Sequence, residues 1–181
     1  GRIMSDLKER FDELMWAVDL LPEPTKDSEG QYTPAPDEFL LPNSTQSLDR
    51  PELFGAIMCH ALKRDDEFRM KLATTLTATA VVSVNHKSHN DEKPNESDLG
   101  ALSLAVNLLW ATGSFYGVAH TLNMISDLCD HFDMEVPTGA VMILRPNEGA
   151  KKFGELDPYR ILDKDYDLDD IMKLRNSDYD E

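Results

Sequence analysis

Asp163, Asp165, Asp167 and Asp169 are the residues of this chain that come nearest to a ligand set. Their spacing matches the first, third, fifth and seventh positions of a calcium loop. Such a loop also needs glycine at its sixth position for the sharp turn and a bidentate glutamate at its twelfth. Those two positions hold Leu168 and Leu174, so the loop can neither turn nor close, and no calcium site is expected. His86 and His89, with Asp91 and Glu92 beside them, have the chemistry to hold zinc or nickel. Structural zinc takes four protein ligands and catalytic zinc three. Two histidines without a third partner at known spacing therefore read as exposed polar residues of a loop, and no metal or other cofactor is expected.

Nucleophilic chemistry has less support still. Cys129 falls on the apolar stripe of a helix, where a thiol is packing. Cys59 has His60 beside it, but sequence neighbours on a helix do not face each other, and Cys59 is expected to point away from the main apolar face. Ser114, in Gly113-Ser114-Phe115, is expected to cap a helix. The chain has no GxSxG, Walker-type loop, GxGxxG or HExxH. His120 and His131 fall off the apolar stripe of their helix and are expected in solvent or at an interface. Met58, Met70, Met124, Met142 and Met172 read as core filling.

Charge narrows the classes that remain. The chain has 181 residues and a net charge of −16, with a pI near 4.6. That field repels phosphates and anionic lipid headgroups, so direct binding to nucleic acid or to a membrane surface is disfavoured. A basic protein surface is the favoured partner. No apolar run reaches the roughly 18 residues needed to span a bilayer. Two cysteines far apart in a chain with a core of its own suit a reducing compartment, and the expectation is a cytoplasmic protein.

The elements expected to position these residues are helical. Gly1-Arg2-Ile3 reads as a cloning scar ahead of Met4. Residues 4–21 form an amphipathic helix with Ser5 as its cap and Leu7, Phe11, Leu14, Met15, Val18 and Leu21 on one face. Pro22 stops it. Residues 22–50 hold five of the chain's ten prolines, with Pro51 following at once, and read as an extended acidic arm with one apolar island, Phe39-Leu40-Leu41. A core domain follows over 51–145. Asp49 and Glu52 suggest a capping box for a second helix, whose face is Leu53, Phe54, Ile57, Met58, Ala61 and Leu62. Asp65-Asp66-Glu67 starts a third helix, with Phe68, Leu72, Leu76 and Ala80 inward. It is expected to run to about Val82, despite Thr74, Thr75, Thr77 and Thr79 lowering its propensity. Residues 83–98 then read as a polar loop.

Two helices joined at Gly113 complete the core, from Leu99 to Thr112 and from Ser114 to about Phe132. Leu99, Leu102, Val106 and Leu109 line the first; Phe115, Val118, Ala119, Leu122, Ile125 and Cys129 line the second. Residues 136–144 are apolar and fit a strand or a helix equally. Residues 146–181 are a linker and an acidic tail with short helical turns. The fold class is thus mostly α, a small helical bundle built around this hairpin, with a Pro-rich arm and an acidic tail. The hairpin from Ala105 to Pro137 resembles a single tetratricopeptide unit, with a glycine between its helices, an alanine (Ala119) in the second and a proline after it. That alanine stands one position late for the repeat, and no second copy follows, so no stacked array is implied.

Two acidic regions carry the functional expectation. From Leu99 to Glu135 there is no Lys or Arg, while Asp127, Asp130, Asp133 and Glu135 gather at the end of the hairpin. Acids there oppose the helix dipole, unless Lys151 and Lys152 neutralise them. The tail from Glu155 to Glu181 holds ten acids against four bases with apolar residues between them. Asp163, Asp165, Asp167, Asp169 and Asp170 surround an apolar face of Leu168, Ile171 and Met172. The combination predicts a non-enzymatic adaptor or inhibitor that engages a basic protein surface, with nucleic-acid mimicry, a device of viral and mobile-element accessory proteins, as one form of it. A metal-dependent protein or enzyme using the His86 and His89 loop, or a structural subunit of a homo-oligomer, are the alternatives.

Overall fold

A computed structural model describes residues 2–22, 26–29 and 48–136 of the chain. Among them are five helices and no strand: α1 (Arg2–Asp19), α2 (Pro51–Leu62), α3 (Asp66–His89), α4 (Glu96–Ala111) and α5 (Phe115–Phe132). The expected mostly-α bundle is what is found. Helix α4 lies at its centre, packed along α3 on one side and α5 on another, and touching α2; α1 sits on α2 and α3. The apolar island 39–41, the 136–144 run beyond Val136, and the whole tail with Asp163, Asp165, Asp167, Leu168, Asp169, Asp170, Ile171 and Met172 lie outside the described residues.

Helix α1 and the turn that follows it bury the six side chains the periodicity selects, from Leu7 to Leu21. Its start differs from expectation. Nothing in Arg2-Ile3-Met4 breaks a helix, so the first turn forms upstream and Ser5 lies inside α1 rather than capping it. Its last turn tightens before Pro22, with the Leu20 and Leu21 amides donating to the Ala17 and Val18 carbonyls, each at 3.1 Å.

Helix α2 also begins otherwise than its sequence suggests. Arg50 is the extended residue before Pro51, no side chain caps the helix, and the Asp49–Glu52 capping box does not form. Asp49 instead accepts from Ser97 Oγ at 3.0 Å, joining the end of the arm to the start of α4. Leu48, just before it, is buried against the backbone of Gly100. A Cβ on Gly100 would lie 2.7 Å from the Leu48 carbonyl oxygen, so this contact needs glycine. Residues Leu53 to Cys59 are buried without a break, because α2 is enclosed on more than one side. Cys59, expected off the main face, is therefore in the core.

Helix α3 is capped by Asp65, whose carboxylate accepts the Phe68 amide at 2.9 Å. Arg69 reaches back to the Ala61 carbonyl at 3.2 Å and to the Arg64 carbonyl, satisfying the end of α2. The threonines fit the helix because Thr74 and Thr77 donate to the Met70 and Ala73 carbonyls one turn back, each at 2.8 Å. The inward stripe Phe68, Leu72, Leu76, Ala80 continues to a buried Val84. Helix α3 accordingly runs seven residues past the expected end at Val82, and the stretch expected as a loop from residue 83 is helical to His89.

The α4 start is the best-determined polar feature of the core. Asn95 and Asp98 form a reciprocal capping box, with Asp98 N to Asn95 Oδ1 at 2.8 Å and Asn95 N to Asp98 Oδ2 at 3.1 Å. Asp98 is only 1% exposed, and it also accepts from Ser83 Oγ at 2.8 Å and from Lys87 Nζ. One carboxylate thus caps α4 and ties it to the end of α3. Every residue from Asp98 to Leu109 is buried, so α4 has two apolar faces where the sequence suggested one.

Candidate functional site

Two helix ends gather the residues singled out in the sequence, and they differ sharply. At the end of α3, His86 and His89 are exposed one turn apart on the last turn of a helix, not in a loop. With Lys87 they place basic character where the dipole favours it. Among the described residues, no three His, Cys, Asp or Glu side chains stand together in a way that could hold a metal ion.

Helix α5 is built by the turn before it. Gly113 takes a left-handed conformation (φ +77°), and its amide and that of Ser114 donate to the Trp110 and Leu109 carbonyls at 3.0 and 2.9 Å. Ser114 stands at the N-cap position as expected, but its hydroxyl makes no capping bond. The buried stripe is Val118, Thr121, Ile125 and Cys129, with Leu122, Met124 and Leu128 partly covered. Ala119 is exposed rather than inward, because the stripe centres on Thr121 and an alanine methyl costs little in water. The tetratricopeptide resemblance loses its packing alanine with it. Compared with known protein families, curated proteins and solved structures, the chain matches none.

The outward side of α5 is aromatic at its start and acidic at its end. Tyr116 is 71% exposed, and its ring lies parallel to that of His120, with centroids 6.4 Å apart and planes within 4°. Asn123, Asp127 and Asp130 follow on the same side at alternating three- and four-residue steps, all exposed. Asp133 ends the helix in a left-handed conformation (φ 53°, ψ 54°), its backbone amide donating to the Cys129 carbonyl, and Glu135 lies just beyond. Carboxylates oppose the dipole at a C-terminus, and a left-handed aspartate is strained where glycine would not be. Between Lys93 and Arg145 the sequence has no Lys or Arg, so no cation comes from within this stretch. His131, exposed beside Phe132, is the only basic residue of the last turn.

Both thiols are poor nucleophiles. Burial pushes the Cys59 thiol up to about 12. Burial also raises Cys129, and the Asp130 carboxylate adds to it. A feature that sequence reasoning missed is His60, half-buried where α1, α2 and α3 meet. Its ring meets Phe11 and Phe68 edge-on at 5.6 and 5.4 Å between centroids. Arg64 donates to His60 Nε2 at 3.4 Å, lies over the Phe68 ring at 4.1 Å and faces Asp19 at 3.9 Å. Burial first, then the Arg64 guanidinium, hold His60 below the ordinary histidine range. An imidazole with an arginine donating to it stays neutral, so this is a packing histidine that protonation would disturb.

Proposed function

We propose that this protein is a non-enzymatic interaction protein that binds a basic surface of another protein through the outward, C-terminal side of α5. The observation that carries the reading is the concentration of Asp127, Asp130, Asp133 and Glu135, all exposed, at a helix end where their charges oppose the dipole. Fixed carboxylates on a rigid helix steer a cationic partner and set its register more than they add affinity. The same spacing of negative charge suits occupation of a phosphate-binding groove, so mimicry of a nucleic acid is one form the interaction takes. The acidic tail, Asp163 to Met172, is proposed as a second contact with the same partner, its Leu168, Ile171 and Met172 supplying an apolar anchor.

The test uses the full chain, immobilised, with proteins retained from an extract of its native host. Asp127→Asn, Asp130→Asn, Asp133→Asn and Glu135→Gln are combined in one variant. The reading expects retained basic proteins to bind this variant at least tenfold more weakly, a loss of about 1.4 kcal/mol, and to be released from wild type by moderate salt. Retention that is equal for the two proteins removes α5 from the account. Deletion of residues 157–181 separates the tail's contribution from that of the helix.

A further inference from the structure

Helix α1 carries a second surface that the end of α5 does not account for. Trp16 is 66% exposed and Leu20, one turn further along, is 60% exposed. The opposite side of the helix is fully used in the core, through Leu7, Phe11, Leu14 and Val18, so these two side chains are surplus to folding. On a helix, a side chain's surface neighbours lie three and four positions away. Around Trp16 those neighbours are Asp12, Glu13, Asp19 and Leu20, all exposed. The indole and its leucine thus sit among three carboxylates, with no cation among the four. Arg10 reaches Glu13 at 3.8 Å and Arg64 reaches Asp19 at 3.9 Å, but exposed pairs of this kind are readily exchanged for a partner's cations.

An exposed tryptophan beside a leucine is the kind of anchor that dominates binding at protein interfaces. The ring of acids selects what can cover it. A second copy of this chain would bring the same carboxylates against these, and anionic lipid or nucleic acid would be repelled likewise. We propose that the Trp16–Leu20 side of α1 is a docking surface for a basic amphipathic helix of another protein. The apolar stripe of that helix seats on the indole and Leu20, and its flanking lysines or arginines meet Asp12, Glu13 and Asp19. Guanidinium groups stack on indole faces as well as pairing with carboxylates, so arginine is the preferred flank. This surface goes beyond the proposed role of α5 and stands without it.

The experiment titrates the full chain with a synthetic 14-residue helix of leucines and lysines, following tryptophan emission and heat. A peptide of the same pattern with glutamate for lysine is the control. The proposal expects a blue shift of emission, saturable binding that weakens with salt, and no binding of the acidic peptide. In a Trp16→Ala/Leu20→Ala variant, with helicity and melting temperature unchanged, affinity falls at least tenfold and the blue shift disappears. An Asp127→Asn/Asp130→Asn variant keeps the blue shift. Equal affinity for wild type and the α1 variant overturns the proposal, as does the absence of any blue shift. Loss of binding in the α5 variant alone also overturns it, and leaves the α5 reading standing. Light scattering that finds a dimer dissociated by Trp16→Ala/Leu20→Ala would assign the surface to a second copy instead.

Discussion

The start of α4 and the end of α5 each turn on aspartate, and they treat it in opposite ways. Asp98 is taken out of water and given the Asn95 amide, the Ser83 hydroxyl and the Lys87 ammonium, so its charge is compensated and its oxygens are occupied. It also stands at a helix N-terminus, where the dipole favours it. Asp127, Asp130 and Asp133 stand in water at or near a helix C-terminus, where the dipole opposes them, and Asp133 is in a left-handed conformation as well. The difference separates a carboxylate the fold needs from carboxylates the fold tolerates. Removing the first kind should destabilise the protein, and removing the second kind should not.

Four substitutions test that contrast. The largest effect is expected from Asp98→Ala, which leaves the Lys87 ammonium without its carboxylate and removes the half of the α4 capping box that accepts the Asn95 amide. Breaking a buried pair on one side costs about 3 kcal/mol, seen as a lowered midpoint in urea unfolding. A variant that melts like wild type would break the contrast at once. Next is Gly100→Ala, whose methyl would meet the Leu48 carbonyl. Forcing that contact apart costs roughly 1–3 kcal/mol, and the Asp49–Ser97 bond should loosen with it. A neutral result would mean that the arm's end is not held on α4.

The third concerns His60. An unfolded histidine takes up its proton near pH 6.5, whereas the folded one, held lower by burial and Arg64, resists it. The unfolded state then binds more protons, so stability is full above about pH 6.5 and falls as pH drops through the folded value. Lys63 reinforces this and Asp19 opposes it. His60→Gln should flatten that part of the stability curve between pH 7.5 and 5, read by thermal melts across pH. The smallest effect has the opposite sign. Asp133→Gly relieves a left-handed aspartate and should stabilise by up to about 1 kcal/mol, while weakening partner binding.

Much of this arrangement is legible in the residues alone, and the rest is not for identifiable reasons. Helix α1 touches the core on one side only, so its six-residue stripe could be read without error. The Gly113 turn is likewise local, because only a left-handed residue closes the α4–α5 hairpin there. The sequence pattern ends α3 too early because Asn85, His86 and Ser88 are weak helix formers, whereas the continuation depends on Val84 in the core and on Lys87 and Ser83 meeting Asp98. Those partners are eleven and fifteen residues away. The burial of Cys59 does not follow from periodicity, because a helix enclosed on several sides has no single apolar face. The acids of α5 were evident as a composition, but their exposure and the left-handed Asp133 are properties of the fold. His60 stands out in the sequence only as the neighbour of Cys59, since its role arises where three helices meet.

On the reading proposed above, the acidic end of α5 serves a partner and not the fold. The measurement that tests it most directly is the affinity of the Asp127→Asn/Asp130→Asn/Asp133→Asn/Glu135→Gln protein for the basic proteins retained by wild type, with its unfolding midpoint taken on the same sample. The expected result is at least a tenfold loss of affinity, about 1.4 kcal/mol, with the midpoint unchanged or raised. An unchanged affinity, or a midpoint that falls as it does for Asp98→Ala, would contradict it.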